Sequence, residues 1–239
     1  MKLTTITDQA YGKLPRQRAD IYQPEVPATT TIVFWHGGSW KRGDKKSYRF
    51  VGRALARLGY EVVIANYRLY PDVTFPAFIE DAALVVAWVQ QRPTTGNVVV
   101  MGHSAGAHIA AVLALEPSYL EGAGARPIDG FVGLAGPYDF SPAQSLLPVF
   151  GGLPVEVWQP IHLVPGKNPP SLIVQGRIDA IVWAANAPRL ARAIQDNGGK
   201  ATLLMYPHLT HFTILVPFLV GWWTLPSLRR RLVEFTASL

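Results

Sequence analysis

Uninterrupted apolar runs alternate along this chain with stretches of helical period. Thr30–Trp35, Glu61–Ala65, Val98–Met101, Gly130–Leu134, Ser171–Gln175 and Ala201–Tyr206 lack the apolar/polar alternation of a half-exposed strand. They read instead as strands covered on both faces. Between them the apolar positions recur every three or four residues. Phe50, Ala54, Leu55 and Leu58 mark one face of a helix over Lys45–Leu58, with Asp44 as its N-cap and Gly59 as its stop. Ile79, Ala82, Ala83, Val86 and Val89 mark a second over Ala77–Gln91, and Val182–Asn197, closed by Gly198 and Gly199, reads as a third. An Ala/Leu/Ile-rich segment after residue 104 and the C-terminal residues read as further helices.

The remaining segments punctuate this pattern. Leu3–Ile6 and Ala19–Tyr22 read as two short strands joined through Gly12 and Pro15, pairing antiparallel at a sheet edge. Pro93–Asn97 is expected to turn the chain, and Glu116–Arg126 reads as loop. Alternating strands and helices argue an α/β fold: a mostly parallel central sheet, helices on both faces and right-handed crossovers. No repeat or linker divides the chain, so residues 1–239 are expected to form a single domain. Residues 141–170, rich in Pro and Gly, are too long for a bare loop and predict a small cap or lid.

Composition narrows the chemistry. The chain has no cysteine, which excludes a disulfide framework, a thiol nucleophile and thiolate metal ligation. No histidine/carboxylate spacing resembles a metal site, so no metal is expected. The net charge is +6, with basic clusters at Lys41-Arg42, Lys45-Lys46 and Arg229–Arg231. No aromatic-interleaved stripe or nucleic-acid module accompanies them, so they read as solvated surface and no nucleic-acid partner is expected. Met1–Asp8 has no apolar core of a leader, and a cytoplasmic location is the resulting expectation.

In Gly102-His103-Ser104-Ala105-Gly106 a strand enters and a helix leaves. A serine at the apex of such a turn is held in a strained backbone conformation, with glycines two positions away where the flanking segments crowd. The pattern is that of a nucleophile elbow. A serine hydroxyl needs a base, and the base needs an orienting acid. Strand ends supply the candidates: Asp179 in Gln175–Asp179, or Asp139 in Gly136–Asp139, as the acid, and His208 or His211 as the base. A developing oxyanion also needs fixed N–H donors, which Ala105, Gly37 and Gly38 can provide.

His36-Gly37-Gly38-Ser39-Trp40, Asn66–Leu69, the Ser104 pentapeptide and Gly136-Pro137-Tyr138-Asp139 together resemble α/β-hydrolase esterases of the hormone-sensitive-lipase-like kind. The small branch shared by carboxylesterases, feruloyl-esterase-like proteins and kynurenine formamidases is the most similar. The likeness runs from about Ala19 to Phe212, in matching order. It implies the α/β-hydrolase fold and a Ser104–His211–Asp179 triad, with His211 rather than His208 as the base. It also implies an oxyanion hole of Gly37, Gly38 and Ala105, and no cofactor. A carboxylesterase acting on small to medium acyl esters is the implied activity. Formamide hydrolysis and a silent hydrolase-fold binding protein are the alternatives.

Three departures stand out. Ser39 replaces a third glycine. Gln175 replaces the histidine of a His-Gly-x-x-Asp pattern, a change expected to lie away from the chemistry. The N-terminal cap of larger relatives is absent or minimal. Trp40, Tyr67, His103, Tyr138 and Phe212 are expected to line the substrate pocket, while His36 shapes its loop and His103 and His108 serve packing or hydrogen bonding. Glu80 and Asp81 read as surface or loop-pinning acids. The uncharged stretch Phe212–Leu228 is interrupted by Pro217, Gly221 and Pro226 and reads as pocket wall plus terminal helix. Membrane contact through Trp222, Trp223 and Arg229–Arg231, or a homodimer contact, is the lesser reading.

Overall fold

The computed structural model describes residues 2–92, 96–164 and 166–239. Its centre is an eight-stranded sheet of order β1-β2-β4-β3-β5-β6-β7-β8. The strands are β1 (Leu3–Ala10), β2 (Arg18–Pro24), β3 (Thr30–Trp35), β4 (Glu61–Ala65), β5 (Asn97–His103), β6 (Gly130–Leu134), β7 (Ser171–Gly176) and β8 (Ala201–Tyr206). β1 and β2 pair antiparallel at one edge, and β2 pairs antiparallel with β4. Every later pairing is parallel.

Both faces of the sheet are covered because alternate side chains of each strand enter separate cores. Val33, Trp35, Val98, Val100 and Ile173 point to one side, against α2 (Ala77–Gln90), α3 (Ala105–Leu115) and α5 (Asn186–Asp196). Ile32, Phe34, Val99, Met101 and Val174 point to the other, against α1 (Arg49–Ala56), α6 (Val216–Leu219) and α7 (Pro226–Ala237). All eleven residues of α3 are buried, which accounts for its composition of small and aliphatic residues on every side.

Several boundaries differ from the sequence reading. The first helix opens with a 3-10 turn, Lys45–Tyr48, capped by Asp44, whose carboxylate accepts the Lys46 N–H at 2.8 Å. Residues 181–185 form turns, so α5 begins only at Asn186. The expected loop 116–126 contains a short helix, α4 (Ser118–Gly122). Residues 141–164 hold three 3-10 segments, Gln144–Phe150, Val155–Val157 and Pro160–His162. Within the expected turn 93–97, Pro93, Thr94 and Thr95 lie outside the described residues, as does Pro165 in the cap segment.

Lys45 is a further correction to the reading of the basic clusters as solvated. It is 1% exposed, and its ammonium donates to Asp20 at 2.6 Å and meets Asp8 at 2.8 Å. A bulge between Ile6 and Gln9 in β1, with Asp8 at φ 58°, carries the Asp8 backbone N–H onto the same Asp20 carboxylate at 2.9 Å.

Candidate active site

The carboxyl ends of the central parallel strands deliver the polar groups that the sequence singled out. At the end of β5, Ser104 has φ 56° and ψ −122°, a region L-residues avoid. The local sequence makes this geometry affordable through its glycines. A Cβ at Gly102 would run into the Gly106 carbonyl, and one at Gly106 into the Trp35 carbonyl of β3. The Ser104 N–H is tied to the Leu134 carbonyl of β6 at 2.9 Å, and the Ser104 carbonyl accepts the N–H groups of Ala107 and His108 in the first turn of α3.

His211, in the loop after β8, meets the serine. Its Nε2 is 2.9 Å from Ser104 Oγ and its Nδ1 is 2.9 Å from Asp179 Oδ2. Asp179 is held in turn by the N–H groups of Ile181 and Val182, both at 2.9 Å to Oδ1, and by the Gln175 amide at 2.9 Å to Oδ2. Burial alone would raise the Asp179 carboxyl. The donation from His211 and from the two backbone N–H groups outweighs it and holds the group below its ordinary value.

Of the candidates left open, Asp179 and His211 are the two brought into contact with each other and, through His211, with Ser104. Asp139 lies instead against Arg189 at 2.7 Å, and His208 is exposed. Gln175 requires a correction. It is buried, and its side chain contacts the same carboxylate oxygen as His211, so the departure from His-Gly-x-x-Asp falls next to the chemistry.

The loop after β3 passes directly over the serine. A Cβ on Gly37 would stand 3.0 Å from Ser104 Cβ. The Gly37 N–H, however, donates to the Tyr48 hydroxyl at 3.1 Å, which removes Gly37 from the set of free oxyanion donors. Gly38, Ser39 and Trp40 follow with φ of 130°, 54° and 58°, and the Gly38 carbonyl accepts from Lys41 and Arg42. Among the described residues no internal acceptor is paired with the N–H of Gly38, Ser39 or Ala105. These three N–H groups are therefore left free for an oxyanion.

Tyr48 carries a role the sequence reading missed. Its hydroxyl accepts from Gly37 and donates to His103 Nδ1 at 2.8 Å. His103 must then carry its proton on Nε2, which meets the His211 carbonyl at 2.9 Å. Burial pushes the His103 imidazole down to about 3, so it stays neutral and keeps that tautomer. The chain of contacts joins the Gly37 loop, the elbow and the His211 loop. Only the aromatic residue at position 48, four after Asp44, could have signalled it, and nothing in the local pattern did.

The expected pocket lining is largely corrected. Tyr67, His103 and Tyr138 are buried and border no open space. Tyr67 stacks on His36 at 4.5 Å and donates to the His36 carbonyl at 3.0 Å, so it braces the loop. His36 also contacts the Gly37 carbonyl through Nδ1 at 2.8 Å, within its own loop. Tyr138 packs edge-on against Phe131 at 6.3 Å, and Trp40 is buried among Phe78, His108, Phe140 and Phe150. Aromatic packing wins at these positions because burying a large ring contributes more than presenting it to a water-filled cleft. Phe212 is the exception, 64% exposed beside His211.

Open space lies instead in a groove of about 710 Å³ between the cap segment and the loops after β6 and β7. It is bordered by Phe140, Leu146, Ile181, Val182 and Trp183. Neither Ser104 nor His211 borders it; Val182 is shared with the site only in that its N–H holds Asp179. Of the acidic pair, Asp81 is the loop-pinning member: it is buried and receives Arg68 at 2.9 Å and Gln17 at 2.7 Å. Among the described residues, no three His, Cys, Asp or Glu side chains gather as a metal site would require. No helix among them is long and apolar enough to cross a membrane.

Comparison with known proteins places this geometry in context. The chain is 27% identical over 245 residues to a probable isoprenylcysteine alpha-carbonyl methylesterase of Oryza sativa subsp. japonica, covering 86% of this chain and 58% of the relative. It therefore spans little more than half the length of that plant protein. It is 26% identical to a kynurenine formamidase of Salmo salar, across 91% of this chain and 78% of the other. Esterase B from Lactobacillus rhamnosis shares the fold at a TM-score of 0.82 and 22% identity, over 98% of this chain and 85% of that one. The BD-FAE family model matches residues 19–145, from β2 through the elbow to the start of the cap segment. That match spans more than half of the 239 residues, so the chain belongs to the BD-FAE family of α/β-hydrolases.

Proposed function

We propose that this chain is a serine carboxylesterase for small to medium acyl esters. The observation that carries the reading is the continuous relay from Ser104 Oγ through His211 to Asp179, both contacts at 2.9 Å. In this reading His211 Nε2 takes the hydroxyl proton as Ser104 attacks the ester carbonyl. Asp179 holds the Nδ1–H tautomer and stabilises the imidazolium. Negative charge developing on the carbonyl oxygen is met by the N–H groups of Ala105 and Gly38, with Ser39 as a third donor. His211 then returns the proton to the leaving alcohol, which departs and leaves the acyl group on Ser104. Water activated by the same imidazole releases the acid.

Formamide hydrolysis is the second reading. It is favoured by the 78% of the Salmo salar kynurenine formamidase that the chain spans, against 58% of the plant methylesterase. The same relay serves either bond. The deciding experiment is turnover of p-nitrophenyl esters from acetate to laurate, beside N-formylkynurenine, by wild type, Ser104→Ala and His211→Ala. Ester turnover lost in both variants supports the esterase reading, and the optimum chain length sizes the acyl site. Turnover of N-formylkynurenine alone moves the assignment to formamidase. A folded protein that turns over nothing and fails to react with a fluorophosphonate at Ser104 leaves the silent binding protein.

A further inference from the structure

On the face of the molecule built from α1 and α6, cationic and apolar side chains meet without partners. Residues 45–60 contain five basic residues and no carboxylate. Lys45 is consumed internally by Asp20 and Asp8. Lys46, Arg49, Arg53 and Arg57 are exposed and, among the described residues, make no ion pair. Arg49 and Arg53 of α1 and Arg57 at its C-cap, still in helical conformation, stand four residues apart, which aligns them in one stripe. They border a groove of about 480 Å³ whose opposite wall is Phe218 and Leu219 of α6. The Trp222 indole N–H, 3.4 Å from the Ala54 carbonyl, fastens the next segment to α1. Leu219, Val220 and Trp223 then project at 66%, 55% and 76% exposure.

We infer that this face docks on the surface of a bilayer containing anionic lipid. Unpaired cations in a row call for a negatively charged partner, and the neighbouring exposed Leu, Val and Trp call for one that also offers an apolar layer. A nucleic acid supplies the charge without that layer. A second copy would set one arginine stripe against its twin across a two-fold axis, which repulsion opposes. The interfacial depth preferred by tryptophan fits exposed Trp223, next in sequence to the Trp222 that is fastened to α1. Docking here is peripheral, since no described helix is long enough to span. The inference does not depend on the proposed esterase activity, because binding is read without turnover.

The test is sedimentation of the full chain with phosphatidylcholine vesicles with and without phosphatidylserine, paired with tryptophan emission. The expected result is binding roughly tenfold or more tighter to the phosphatidylserine vesicles at low salt, with a blue shift, and release as salt shortens the screening length. The triple variant Arg49→Glu/Arg53→Glu/Arg57→Glu and the double variant Leu219→Ser/Trp223→Ser should each lose most of this binding. Both should keep wild-type turnover of a soluble ester or, failing any turnover, the wild-type circular dichroism spectrum. Equal binding to both vesicle types, no binding at low salt, or unchanged binding by either variant overturns the inference. Binding to a DNA duplex that the triple variant abolishes and the double variant keeps overturns it in favour of a polyanion site. The salt and lipid dependence of the wild type decides the matter even if a variant fails to fold.

Discussion

The side-chain amide of Gln175 donates to Asp179 Oδ2 at 2.9 Å, the oxygen that also receives His211 Nδ1. The acid of the candidate triad is therefore aimed from the strand end of β7 by a neutral donor four residues earlier. That donor orients the carboxylate toward the imidazole and lowers the cost of keeping it ionised while buried.

Replacing the amide tests this directly. Gln175→Leu should lower kcat by roughly tenfold with KM little changed, and Gln175→His should recover much of the loss. Gln175→Leu should also cost about 1 kcal/mol in urea unfolding, the usual net loss for removing one hydrogen bond to a buried group. Asp179 sits below its ordinary value, so its ionised form stabilises the fold above the unfolded value near pH 4. That contribution is lost as pH falls through the lowered folded value. Gln175→Leu should shrink it, leaving the variant closest to wild type at the most acid pH.

Tyr48 and His103 connect the oxyanion loop to the His211 loop. Tyr48→Phe leaves the Gly37 N–H without its acceptor and His103 without its donor. Steady-state kinetics should show kcat reduced several-fold while KM is nearly kept, since no substrate-facing group changes. His103 is held near 3 by burial, so between pH 5 and 8 it stays neutral. His103→Gln, which retains a donor and an acceptor, should preserve the acid limb of the pH–rate profile. A shifted limb in that variant would show that His103 titrates in that range in the wild type.

The elbow stores strain in one residue. Ser104→Gly should abolish turnover yet raise stability by about 1 kcal/mol, because glycine occupies φ 56°, ψ −122° freely. Gly106→Ala should have the opposite character. Its Cβ meets the Trp35 backbone carbonyl, which cannot swing aside, so urea unfolding should register a loss of several kcal/mol or no folded protein.

Lys45 supplies a test remote from the site. Lys45→Met leaves Asp20 buried without its cation and should cost about 3–5 kcal/mol, and adding Asp20→Leu should restore part of it. Burial opposes the charged Lys45, but hydrogen bonds to Asp20 and Asp8 outweigh it and raise the ammonium above its ordinary value. The pairing therefore stabilises the fold fully below about pH 10. It is lost only as pH climbs through the raised value, which alkaline unfolding of wild type and variant would reveal.

The sequence by itself determined the features written in local periodicity and local sterics. Apolar runs named six of the strands, glycines at 102 and 106 marked the elbow, and Ser104, the acids Asp139 and Asp179 and the histidines His208 and His211 were placed at strand ends. Each follows from interactions within a few residues, or from the rule that parallel strands deliver their loops to one end of the sheet. Only the tertiary structure decided what depends on partners far apart in the chain. Tyr48 reaches His103 across 55 positions, Lys45 reaches Asp20 across 25, and neither pair leaves a periodic trace. The same holds for the aromatic residues. Trp40, Tyr67 and Tyr138 went into the core, while the groove was left to Ile181, Trp183 and the cap. A ring's hydrophobicity favours burial wherever packing allows, and packing is settled by the whole fold rather than by neighbours in sequence.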